Sequence, residues 1–120
     1  MTRPRLAACT RAFVSAIVQT VEELPRGRTA DVIGLQLLRS GTSVGANYRA
    51  ACRARSRKEF IAKMGIVEEE ADESGFWLEM LVDAGKLTPT IAAPLIREAG
   101  ELTAIAVSSI KTARKSGGRQ

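Results

Sequence analysis

Apolar residues recur along this 120-residue chain at spacings of three and four, in four separate runs. Phe13, Ile17, Val21 and Leu24 lie on one face of a helix predicted over about Arg5–Leu24, which Pro25 and Gly27 end. A second helix is predicted from Thr29 or Asp31 to about Arg55, with Leu37, Gly41, Val44, Tyr48 and Cys52 on one side. Its small-residue patch SGTSVGA (40–46) is weak in isolation, since Gly costs roughly 1 kcal/mol relative to Ala in a helix. The patch survives, or kinks, where close packing against a neighbour rewards it. Ser56-Arg57-Lys58-Glu59 has the form of a capping box and opens a third helix. There Phe60, Met64, Val67, Ala71, Ser74, Leu78 and Leu81 make a bundle-type seam, and Gly85 closes it. Thr88 or Thr90 starts the fourth, whose stripe is Ala92, Leu95, Ala99, Leu102, Ala106, Ile110 and Ala113. Pro94 argues that its regular part begins a few residues later.

The three connections, about 25–28, 55–57 and 85–89, are short, and short loops make sequential helices antiparallel neighbours. The predicted fold is all-α: an up-down-up-down antiparallel four-helix bundle over 1–115, with SGGRQ (116–120) as a flexible tail. No run reaches the roughly 20 apolar residues that span a membrane. The N-terminal segment lacks the apolar core of a signal peptide. Cys9 and Cys52 are isolated and read as small buried hydrophobes, consistent with a reducing cytoplasm.

Charge changes the picture more than composition does. The net charge is +5, which permits polyanion binding. Arg49, Arg53, Arg55, Arg57 and Lys58 stand in a stretch without an acid, whereas Glu59–Asp83 is strongly acidic. Arg49 and Arg53 are one turn apart, and the set is a candidate phosphate-contacting patch, with Tyr48 beside it to stack on a base. The alternative is that these arginines pair with acids of the next helix and only support the fold. Trp77, one residue off the seam, and Phe76 suggest a subunit contact; a Trp lying over the edge of its own bundle is the competing reading. Asn47 flanks the seam and needs a partner, with Arg39, Ser43 or a third-helix acid in reach.

Catalytic chemistry finds little footing. The chain has no His. Glu68, Glu69, Glu70, Asp72 and Glu73 have no matching carboxylate pair on another helix, so neither a metal nor any other cofactor is expected. Ser40, Ser43 and Ser56 have no His to activate them; Lys63 is the alternative base, but serines in such a patch are ordinarily packing or capping residues, and GTSVG lacks the GK[ST] ending of a phosphate loop.

Leu38-Arg39-Ser40, Ser43-Val44-Gly45-Ala46-Asn47-Tyr48-Arg49, Ala54-Arg55-Ser56, Glu59-Phe60-Ile61-Ala62-Lys63, Glu70-Ala71-Asp72-Glu73-Ser74 and Trp77-Leu78 together resemble the four-helix-bundle proteins named after 23S rRNA intervening sequences. The likeness covers roughly residues 30–85. Ala50 stands where members often carry Glu, and Glu69 where they often carry Lys, so an ion pair built on either position is not carried over. The resemblance implies structural roles for Arg39, Ser43, Asn47, Glu70 and Glu73, and assembly into a ring, typically a pentamer. The family is also similar to accessory proteins of diversity-generating retroelements, which implies RNA or DNA, or a reverse transcriptase, as partners. It implies no enzyme activity. Two functions follow as expectations: a homo-oligomeric bundle that binds structured RNA or other nucleic acid through the basic patch, or a protein-binding scaffold.

Overall fold

The computed structural model describes residues 3–118, in four helices: α1 (Arg3–Glu22), α2 (Arg28–Cys52), α3 (Arg57–Asp83) and α4 (Pro89–Gly118). They pack α1 on α2, α2 on α3 and α3 on α4 in an antiparallel bundle measuring 54 × 21 × 20 Å, and α1 meets α4 only along a narrow strip. No strand occurs among the described residues.

The helix ends follow from local chemistry. Ser56 Oγ accepts from the Glu59 N–H at 3.0 Å, as a capping box requires. The returning bond differs from the expected one: the Glu59 carboxylate accepts from the N–H of Arg55, one residue farther out, at 3.0 Å. At the other end of α3, Gly85 takes φ +72 and Lys86 N–H donates to Leu81 C=O at 2.8 Å, a glycine-dependent reversal. α4 begins at Pro89 and runs through Pro94 without the expected delay. Pro94 frees only the carbonyl of Thr90, which lies in the exposed first turn where water can reach it. The helix continues to Gly118, past the predicted start of the tail; Arg119 and Gln120 lie outside the described residues.

Phe13, Ile17, Leu37, Val44, Met64, Leu78 and Leu81 form the centre of the core, all but unexposed. On α2 the stripe closes with Ala51 rather than the expected Cys52, which is half-buried. The SGTSVGA patch serves two neighbours at once. A Cβ on Gly41 would lie 2.7 Å from Ile17 Cγ2, and one on Gly45 2.7 Å from Val14 Cγ2, so α1 sits against bare α2 backbone. Ser40, on the other flank, shares a 2.9 Å hydrogen bond with Ser74 of α3. The single Ser74 proton is shared between Ser40 Oγ and Glu70 C=O (2.8 Å), and Ser40 in turn donates to Leu37 C=O (3.2 Å). Buried Thr10 and Thr20 likewise donate to carbonyls of their own helix, at 3.0 and 2.7 Å.

Candidate functional site

An even number of antiparallel helices returns the chain to the end where it began. That end carries Arg3 and Arg5 from the first turns of α1, Arg49, Arg53, Arg55, Arg57 and Lys58 around the α2–α3 turn, and Lys111, Arg114 and Lys115 from the last turns of α4. These are more than half of the chain's 18 lysines and arginines, and Glu59 is the one acid in the same stretches. All ten of these cationic side chains are exposed. The five cations predicted from the sequence are therefore together and accessible. The other five lie far away in sequence, and the signal for them was the predicted topology itself. The opposite end mixes Glu22, Glu23, Asp31, Glu79 and Asp83 with Arg26, Arg28 and Lys86.

Between the cations is a cleft of about 710 Å³, where the loose α1–α4 seam opens at this end. Arg3, Arg55 and Arg57 line it, Leu6, Phe60 and Ile105 give it an apolar wall, and Ser108, Ser109 and Thr112 supply hydroxyls. The Arg3 guanidinium sits over the Phe60 ring, 5.9 Å from its centroid. Arg3 is also fixed through its backbone, because Tyr48 Oη donates to its carbonyl at 3.3 Å. Burial, then contact with Cys52, pushes the Tyr48 phenol well above its ordinary value, so it stays protonated and keeps donating. Tyr48 is buried and is not available to stack on a base as the sequence suggested; its ring is needed to hold α1 on α2. A second concavity of about 590 Å³ runs between α1 and α2, with Arg11 and Arg49 above Ala7, Val14 and Gly45.

The remaining predicted residues lie on the α2–α3 face. Asn47 Nδ2 donates to the carbonyl and the Oγ of Ser43, at 3.0 and 2.9 Å, so its partner lies within its own helix. Arg39 Nη2 donates to Gln36 Oε1 at 3.3 Å, and its charge is felt by Glu70. Burial, then the charge of Glu73, lifts the Glu70 carboxyl above the ordinary carboxylate range, with Arg39 opposing. Trp77 is half-buried against the core and its Nε1 donates to Glu73 Oε1 at 3.3 Å. Phe76 meets it edge to face at 4.9 Å and is 48% exposed. Val32 and Leu35 of α2 are exposed as well. Among the described residues no three His, Cys, Asp or Glu side chains gather as a metal would need, and no helix is long and apolar enough to cross a membrane.

A family model described as 23S rRNA-intervening sequence protein matches residues 6–108. The chain is also similar to the crystal structure of a protein with unknown function from the S23 ribosomal protein family of Bacteroides thetaiotaomicron VPI-5482. The two share 33% sequence identity and superpose with a TM-score of 0.86, covering 92% of this chain and 99% of the other. No curated protein matches the chain.

Proposed function

This chain belongs to the 23S rRNA-intervening sequence protein family, and on that premise we propose that it is a cytoplasmic, non-enzymatic, homo-oligomeric bundle, with a pentamer the expected assembly, that binds structured RNA or another nucleic acid. The observation that carries the reading is the convergence of cations from three separate stretches of chain on one end of the bundle, with a single acid among them. A surface of this kind raises the local concentration of a polyanion and releases counterions on binding, so affinity falls steeply with salt. Copies of that end brought together in an oligomer would add their fields. Phosphate contacts at exposed arginines give position without base readout, so sequence preference is expected to be weak.

The test is a salt titration of binding to a structured RNA, with heparin as the non-nucleic polyanion. The Arg49→Ala/Arg53→Ala variant should keep its helical circular dichroism and lose about 0.7–0.9 from the log–log salt slope per phosphate contact removed. An unchanged slope would refute the assignment of these residues. A second reading, a scaffold that binds another protein, is favoured by the exposed Val32, Leu35 and Phe76. Absence of RNA binding at low salt would leave that reading in front.

A further inference from the structure

We propose that the cleft at the basic end is a seat for a terminal phosphate of a nucleic-acid strand, a site that rests on the nucleic-acid reading above. Three features of the cleft point to this ligand. Three arginines, Arg3, Arg55 and Arg57, line one concavity. A phosphomonoester carries a charge near −1.5 to −2 at neutral pH, against the single charge of an internal phosphodiester. Converging arginines, which can grip phosphate oxygens bidentately, favour the more highly charged group. The floor adds neutral donors suited to phosphate oxygens. Ser108 and Thr112 offer hydroxyls, and the amide of Arg57, the first of α3, has no partner within the helix. The third feature is the apolar wall. Leu6, Phe60 and Ile105 provide an apolar side against which the terminal sugar can rest while the phosphate faces the arginines. The volume, about 710 Å³, lies within the roughly 300–1,000 Å³ range of small-ligand sites. The Tyr48 bond to the Arg3 carbonyl holds the α1 side of the cleft in place.

The experiment compares one single-stranded oligonucleotide in three forms: with a 5′-phosphate, with a 3′-phosphate and with hydroxyls at both ends. Binding is followed by fluorescence anisotropy at fixed salt. The wild-type protein is expected to prefer at least one phosphorylated form over the hydroxyl form by about tenfold, the effect of one good charged contact. Two variants lose the same charge: Arg55→Ala/Arg57→Ala inside the cleft and Arg49→Ala/Arg53→Ala outside it. The preference should vanish in the first and persist in the second, while both weaken overall binding. Ser108→Trp, which fills the exposed mouth without changing charge, should also abolish the preference. Equal binding of all three forms by the wild-type protein overturns the terminal-phosphate site and leaves the general nucleic-acid reading standing. Loss of the preference to the same extent in both arginine variants also overturns it. Failure to bind any form at low salt removes both readings together.

Discussion

Replacing Gly41 by Ala tests the account of the α1–α2 contact. A methyl group at Gly41 would stand 2.7 Å from Ile17 Cγ2 and 3.2 Å from its Cβ and Cγ1. Carbon atoms pack favourably at about 3.5–4.0 Å, so something must move by roughly 1 Å. Ile17 has nowhere to go: it is fully buried, and a β-branched side chain in a helix is confined to essentially one χ1 rotamer. Overpacking of this kind costs about 1–3 kcal/mol. Against it stands the gain of about 1 kcal/mol from replacing a mid-helix Gly by Ala. The net expectation is a loss of about 0–2 kcal/mol, or up to some 8 °C in Tm for a domain of this size. Gly100 is the internal control. It lies within α4, is exposed, and a Cβ there meets nothing within 4 Å, so Gly100→Ala should gain about 0.5–1 kcal/mol. Thermal unfolding followed by circular dichroism, at matched protein concentration because any association shifts Tm, gives both numbers. If the two variants move Tm in the same direction and by similar amounts, helix propensity alone decides. The close approach would then have no energetic meaning.

Two further predictions concern buried polar groups. Ser74→Ala removes one side of the hydroxyl pair between α2 and α3, while Ser40 keeps its bond to Leu37 C=O; the loss should be about 0.5–1.5 kcal/mol in urea unfolding, and Ser40→Ala on top of it should add less than it costs alone. Fully additive losses would mean that the two hydroxyls do not interact. Burial, then the charge of Glu101, raises the Glu98 carboxyl above the ordinary carboxylate range, so its ionised form is disfavoured in the folded state. Glu98→Gln should therefore raise Tm at pH 7, where wild type carries the full penalty. The gain should shrink as pH falls through the raised folded value and disappear below the unfolded one, where the carboxyl is protonated in both states. A pH-independent difference would refute that cause.

The fold was legible because the strongest local signals agreed with the bundle: the three-four spacing of Phe60 to Leu81, the Ser56–Glu59 cap and the terminating Gly85 each found its place. What the periodicity did not reveal was the division of labour within SGTSVGA. Spacing alone put Gly41 on an apolar face, but the neighbour it accommodates, Ile17, belongs to another helix. Tyr48 and Cys52 misled for a related reason. A residue one turn from the helix end is buried or exposed according to how far the neighbouring helix extends, and α1 reaches back far enough to take the Tyr48 hydroxyl. Pro94 misled because its helix-breaking cost depends on whether the freed carbonyl can find water. The candidate site was half legible. The charge run at 49–58 stands out in the sequence, but Arg3 and Lys111 join it only once the topology is known.

The placement of those cations weighs between the two readings of the basic run. Positive charge near a helix C-terminus complements the helix dipole, so Arg49 and Arg53 at the end of α2, and Lys115 in the last turn of α4, are accounted for by stability alone. Arg3 and Arg5 open α1, and Arg57 and Lys58 open α3, where the dipole disfavours a cation by roughly 0.3–1 kcal/mol at a surface site. α1 has no acid in its first turn to offset them, whereas α3 has one, Glu59. A sequence shaped only for a stable bundle would put acids at those positions, as it does with Asp31 at the start of α2. Local departures of this kind from what the fold prefers mark positions where another requirement prevails. Here the departures coincide with the lining of one cleft: Arg3 and Arg57 both face it. The stabilising cations explain why this end tolerates so much charge. The destabilising ones are those that the proposed phosphate seat would account for.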